Sequence, residues 1–176
     1  MLRAFQNICS EPGYMIEVQA MDMLIKLYNL QPLEPLLRRL ADERIAIRRA
    51  MSYERAQVVQ WVHKVFGSGW SDECAVAFGK YPVDCFIAVH DRQVCGFCCL
   101  NTTFLNFIGP IGVTTALRRR GAGRGLILAA LYTLREQGYA YAVVGDVGAP
   151  EFFKASAGAV EIQDSTPGAY PDRIEK

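Results

Sequence analysis

Apolar positions along the chain recur with two periods, and the switches between them mark the elements. Residues 43–50 alternate, with Ile45 and Ile47 on one side and Arg44, Ala46 and Arg48 on the other, which predicts a half-buried strand. Residues 53–66 place Ala56, Val59, Val62 and Phe66 at helical spacing behind Ser52 as N-cap. A short strand is predicted at 23–28, and a short helix at 32–41 with Leu33, Leu36, Leu37 and Leu40 on one face. Gly67-Ser68-Gly69 breaks the helix after Phe66, and Ser71 caps a short helical segment at 72–78 that ends before Tyr81-Pro82. Apolar strands at 85–89, 94–101 and 104–113, with a turn at 90–93, read as an antiparallel meander. A long helix at 121–137 is bounded by glycines, with Gly138 as C-cap. A strand at 139–145, a helix opened by Pro150 and running to about 156, and a strand at 159–162 complete the order.

This order divides the chain into a loose tail at 1–22, which contains the turn pair Pro12-Gly13, a strand–helix extension at 23–42, and one domain at 43–176. Met15, Met21 and Met23 are alternative starting points, and the working protein is expected to begin near Met21 or Met23.

Composition narrows the choice of function. A formal net charge of +1 offers no global basic field to gather nucleic acid. No apolar run reaches the roughly 18–20 residues that span a bilayer, and Glu11 and Glu17 interrupt any signal-peptide core. Cys74, Cys85, Cys95, Cys98 and Cys99 join Cys9; four of them lie in an apolar, strand-like stretch, as reduced core cysteines of a cytoplasmic protein do. Cys95-x-x-Cys98 has the spacing of half a zinc site, but His63 and His90 do not pair with it, and residues three apart in a strand point to opposite faces. No metal is expected.

The segment that carries chemistry is Ile111-Gly112-Val113, followed by Arg118-Arg119-Arg120-Gly121-Ala122-Gly123-Arg124-Gly125. A strand feeds a Gly-rich turn that opens a helix. Exposed N–H groups at a helix start favour an anion, glycines let the backbone approach a phosphate, and four arginines in seven residues supply fork-shaped donors. A Walker P-loop is excluded because no Gly-Lys-Ser/Thr follows, and a dinucleotide fingerprint because the preceding strands form a meander. A solvated basic turn capping a surface helix is the plain alternative.

Arg118-x-x-Gly121-x-Gly123 after Ile111-Gly112-Val113 resembles the acyl-CoA signature of the GNAT superfamily of N-acetyltransferases. Asp146-x-x-Ala149-x-x-Phe152-Phe153, then Gly158, resembles that family's downstream Asn-x-x-Ala-x-x-aliphatic-Tyr motif. Phe66-Gly67-Ser68-Gly69-Trp70 and Thr166-Pro167-Gly168-Ala169-Tyr170 are similar to segments of a bacterial branch.

The resemblance implies an α+β, three-layer fold, with a mixed, mostly antiparallel central sheet and helices on both faces. It also implies acetyl-CoA as cosubstrate. Backbone groups of Ile111 and Val113, with Gly112 between them, would pair with the pantetheine arm in a gap between two splayed strands. Arg118, Arg119, Arg120, Gly121, Ala122, Gly123, Arg124 and Gly125 would hold the phosphates. The downstream motif adds Phe152 and Phe153 to the coenzyme site. The Val113 N–H would donate to the thioester oxygen.

Transfer would be direct, to a small-molecule or peptide amine, with no nucleic acid or membrane partner; members commonly dimerise, which allows a homodimer. Two departures stand out: Phe153 replaces the tyrosine that often protonates the leaving thiolate, and Asp146 replaces the asparagine. Glu73 and Asp146 are the candidate proton acceptors, Tyr170 the candidate substitute acid, and Trp70 with Glu73 the candidate acceptor wall. A non-catalytic acyl-CoA-binding module on the same fold is the competing reading.

Overall fold

The computed structural model describes residues 21–170. The expected loose tail therefore lies outside the described residues, apart from Met21 and Asp22. The meander forms as its alternation predicts: β2 (Ile45–Arg49), β3 (Cys85–His90), β4 (Gln93–Leu100) and β5 (Ile108–Val113) pair antiparallel in that order. Asp91 and Arg92, with φ of 47° and 63°, make the tight turn between β3 and β4. The last strand starts later than expected. Asn101 and Asn106 adopt left-handed φ, and the Asn106 N–H donates to Asn101 Oδ1 at 2.8 Å, so Phe104 and its neighbours form a loop and the strand begins at Ile108.

Two helices cover one face of this sheet, α2 (Arg55–Phe66) and α3 (Ser68–Ala77). Gly67 alone makes the break, at φ 93°, and Gly69 and Trp70 are already helical. The cap of α2 also differs from expectation. Ser52 opens a 3₁₀ turn, and Glu54 closes it by accepting the Met51 N–H at 2.8 Å while Arg48 holds its other oxygen at 2.6 Å. Val58, Val62, Cys74 and Ala77 pack from these helices onto Cys85, Ile87, Phe97 and Cys99.

The opposite face carries α4 (Ala122–Glu136), buried on most sides: Leu126, Ile127, Leu128, Leu131 and Leu134 lie in a second core with Cys98, Leu100 and Ile108. α1 (Glu34–Asp42) and α5 (Pro150–Ala157) flank it. Helices therefore lie on both sides of the sheet, as expected. Among the described residues no helix is long and apolar enough to cross a membrane.

A three-stranded sheet continues the layer, in the order β6 (Tyr141–Val144), β1 (Met23–Lys26), β7 (Val160–Glu161). β1 runs antiparallel to both neighbours, with Met23 opposite Val144 on one side and Glu161 on the other. Met23 and Ile25 are fully buried, so this strand from the start of the chain is the middle of a sheet built from its end. Met21 and Asp22 extend the stitch. The Val147 N–H donates to Met21 O and the Ile162 N–H to Asp22 O, both at 3.0 Å, and Asp22 Oδ1 accepts the Asp146 N–H at 3.1 Å.

The two sheets meet at one parallel bridge, Phe107 to Val143, with the Val143 N–H donating to Asn106 O at 3.0 Å. Beyond it β5 and β6 share no further ladder pair among the described residues, and they part.

Asp22 is buried, and its carboxylate serves the turn at the end of β6. Asp22→Ala leaves the Asp146 N–H without that acceptor, and is expected to lower unfolding free energy by about 1–3 kcal/mol in urea titration.

Candidate functional site

The parting of β5 from β6 leaves one edge of β5 facing a gap. Val113 lies opposite Gly96, Gly112 opposite Phe97 and Ile111 opposite Cys98, while the Thr114 N–H donates to Cys95 O at 2.9 Å. In an antiparallel ladder, hydrogen-bonded and non-hydrogen-bonded pairs alternate. The Thr114–Cys95 bond therefore turns the N–H and C=O of Ile111 and Val113 away from β4 and into the gap. Their side chains pack towards α4, and the backbone of the intervening Gly112 serves β4. A Cβ on Gly112 would fall within 2.9 Å of three ring atoms of Phe66, so this glycine makes room for an aromatic on the α2 side.

The strand leads through a 3₁₀ turn, Thr115–Leu117, to the arginines and the start of α4. Arg119 is left-handed at φ 63° and Gly121 at φ 93°, which swings the chain into the helix. The first helical bond is Gly125 N–H to Gly121 O at 2.9 Å, so the N–H groups of Ala122, Gly123 and Arg124 precede the ladder and carry the positive end of a 15-residue helix.

The glycines divide their work. A Cβ on Gly123 would lie 3.3 Å from the Phe152 ring and 3.6 Å from Val113, so the ends of β5, α4 and α5 converge there. Gly125 differs from expectation: its N–H is committed to Gly121, and a Cβ on it would lie 2.9 Å from Leu40 and 3.1 Å from Ile47. It lets α4 pack against α1 and β2. Ala122 is buried, offering only its backbone.

The arginines divide too. Arg120 is paired with Glu43 at 2.7 Å, and Arg124 donates to Gln31 Oε1. Arg118 and Arg119 are exposed; Arg118 Nε reaches Val113 O at 3.4 Å. Arg39 takes a place that the sequence reading missed. Its guanidinium lies directly over Gly121 and donates to Arg120 O at 3.3 Å. The only signal in the sequence was a basic residue on the polar face of the 32–41 helix. Arg124 Nε is buried with no hydrogen-bond partner among the described residues, an orphaned donor beside the helix start. Backbone donors, outward guanidinium groups and an unmet N–H around one turn fit a phosphate-bearing coenzyme.

The downstream aromatics exchange roles. Phe153, the residue in the tyrosine position of the family motif, is 5% exposed and belongs to the core. Phe152 is half-buried against Gly123, its ring 5.0 Å from that of Phe153, and is the aromatic that flanks the turn. The helix phase of α5 decides this, because Phe153 shares its inward face with Ser156.

On the other side of the gap, contacts run in a chain. Glu73 Oε2 accepts from Thr103 Oγ1 at 3.0 Å; the ring of the next residue, Phe104, lies 6.1 Å from Tyr170; and Tyr170 lies across Gly145, where a Cβ would fall 2.6 Å from its ring. The tail thus folds back onto the end of β6, next to the exposed Asp146. Glu73, Tyr170 and Asp146 share one rim. Trp70 stacks on Phe66 at 5.1 Å and sits 6.1 Å from Phe97, an anchor of the α2–α3 layer.

Residues 55–158 match the Acetyltransferase (GNAT) family profile. Comparison with curated protein sequences gave no significant match. Among solved structures, the GCN5-related glucosamine N-acetyltransferase region of a fungal multi-domain β-N-acetylglucosaminidase superposes with a TM-score of 0.69 at 17% identity, over 81% of this chain and 20% of that one. A GCN5-related N-acetyltransferase from Sphaerobacter thermophilus gives 0.60 at 17% identity, over 81% of this chain and 48% of that one. This chain thus matches a fifth to a half of the length of those proteins, and the likeness carries the fold. With the profile spanning more than half of the chain and the fold shared with these structures, the protein belongs to the GNAT acetyltransferase family.

Proposed function

We propose that this protein moves an acetyl group from acetyl-CoA to a primary amine of a small molecule or peptide, directly and within one ternary complex. The observation that carries the reading is the continuity of donors along the gap. Outward amides at Ile111 and Val113 lead through the 3₁₀ turn and the arginines to the bare N–H groups of α4, where Gly121 and Gly123 add no side chain of their own. Acetyl-CoA supplies an activated thioester; its pantetheine arm would lie along Ile111 and Val113, and its phosphates would meet Ala122–Arg124, Arg118, Arg119 and Arg39.

The chain's own groups have three tasks. The Val113 N–H points into the gap and is the donor for the carbonyl oxygen as that oxygen gains charge. A proton must leave the acceptor amine, because at pH 7 only about one alkylamine in 10³ is neutral, a handicap of roughly 4–5 kcal/mol. Glu73, held by Thr103, and Asp146 lie on the rim where an acceptor enters. A proton must reach the leaving sulfur, and neither Phe152 nor Phe153 has one to give; Tyr170, folded onto Gly145, is the hydroxyl nearest that strand end in the contact chain. A thiol with a reference pKa of about 8.5 is a tolerable leaving group, so this last role is the least demanding. We place the protein in the cytoplasm, consistent with five buried, unbridged cysteines, and expect neither nucleic acid nor membrane as partner, with a homodimer allowed.

The phenylalanine beside Gly123 favours one competing reading, an acyl-CoA-binding module without turnover. Thiol release from acetyl-CoA across a panel of amines separates the two: steady release with at least one amine is expected, and saturable binding with no release from any would establish the module. Gly123→Val drives a branched side chain against Phe152 and Val113, and is expected to abolish the acetyl-CoA-dependent rise in melting temperature while the cooperative melt persists. Arg39→Ala is expected to weaken acetyl-CoA about tenfold by calorimetry, as loss of one charge-assisted phosphate contact would.

A further inference from the structure

Three of the cysteines that the sequence scatters over α3, β3 and β4 meet in the core. The Sγ atoms of Cys74, Cys85 and Cys99 all lie within 4.8 Å of one another, and all three residues are fully buried. The register explains the meeting. Cys85 is directly opposite Cys99, and the Leu100 N–H donates to Asp84 O at 3.0 Å, which makes the neighbouring 84–100 pair the hydrogen-bonded one. Cys85 and Cys99 are therefore a non-hydrogen-bonded pair, the kind with the shorter side-chain separation. Cys74 descends onto them from α3.

We propose that Cys74, Cys85 and Cys99 form a three-coordinate site for a soft monovalent metal ion, cuprous copper, held between α3 and the meander. The donor set selects the ion. All three ligands are sulfur, and no His, Asp or Glu joins the group among the described residues. Hard cations require oxygen ligands, and structural zinc takes four ligands, whereas thiolates with no harder donor suit cuprous copper.

The shell points the same way. Val58, Val62, Ala77, Ile87 and Phe97 belong to the same buried apolar cluster as the three cysteines, and among the described residues no His, Cys, Asp or Glu supplies a fourth ligand for a tetrahedron. Binding displaces the thiol protons to water: each Cu–S bond replaces one S–H bond, the sulfurs bind as thiolates, and no oxidation state changes.

The remaining described cysteines provide an internal control. A bulge opposite Ala88 and Val89 shifts the alternation of β4, so Cys95 and Cys98 both face the α4 side and are not on opposite faces, as their spacing predicts. They are buried as well, but no third thiol meets them within the same limit. The triad lies on the other face of the sheet from the coenzyme turn, and its Cys74 is in the helix that carries Glu73, so an ion there would pin α3 to β3 and β4 whatever the enzyme's acceptor.

The test is an anaerobic titration of the full reduced chain with Cu(I) in competition with bicinchoninate, with copper-edge X-ray absorption on the loaded chain. One copper per chain with three sulfur neighbours is expected, together with a higher melting temperature. Cys74→Ser and Cys99→Ala should each weaken the site by about 100-fold or more, beyond the roughly 10–100-fold that loss of an outer-shell partner costs. Cys95→Ala and Cys98→Ala should leave it unchanged. Copper that follows Cys95 or Cys98, zinc held as tightly as copper, or a Cys85–Cys99 disulfide with no copper uptake would each overturn the proposal. If a triad variant fails to fold by circular dichroism, the sulfur count at the copper edge of the unsubstituted chain decides alone.

Discussion

An unpaired strand edge leaves amides and carbonyls that must find partners outside the ladder. The rest of this structure is arranged around one such edge. β5 and β6 touch at Phe107 and Val143 and then separate, and the alternation of the β4–β5 ladder leaves Ile111 and Val113 addressing the opening. Each neighbouring element either keeps the gap open or surrounds it. Residues 21 and 22 pin the far end of β6 through Val147 and Asp146, the tail lays Tyr170 across Gly145, and α4 starts where β5 stops.

The turn at the start of α4 is held in shape from outside. Gln31, Arg39 and Glu43, from one stretch around α1, engage Arg124, the Arg120 carbonyl and the Arg120 guanidinium in turn. Two of the four loop arginines are thereby spent on fixing the backbone, which leaves Arg118 and Arg119 outward and Arg39 above Gly121. Preorganised donors bind more tightly than mobile ones, since their ordering cost is met on folding. The stretch that the sequence sets apart from the main domain is thus part of the apparatus that shapes the turn.

The two faces of the meander serve separate ends. Towards α4 lies the glycine turn, with Val113, Gly123 and Phe152 in contact range. Towards α3 lie the aromatic anchor of Phe66, Trp70 and Phe97, the cysteine triad, and the rim where Glu73, Phe104 and Tyr170 meet. In the proposed direct transfer, donor and acceptor would meet at the gap from these two sides.

Much of this was legible in the chain. Period-two and period-3.6 patterning depends on residues a few positions apart, so the meander, α2 and α4 followed from their own segments. The glycine–arginine turn was readable for the same reason: left-handed backbone and a helix start are local properties. Other features depended on partners far away. β1 looks like an appendage until β6 and β7 close around it; which of Phe152 and Phe153 faces the turn depends on the phase with which α5 docks; which arginines remain outward depends on Glu43 and Gln31; and the bulge that turns Cys95 to the side of Cys98 has no local signature. Spacing along a chain encodes what a segment prefers by itself. The choice of neighbours, and so the function of each side chain, is made only when distant segments compete for the same core.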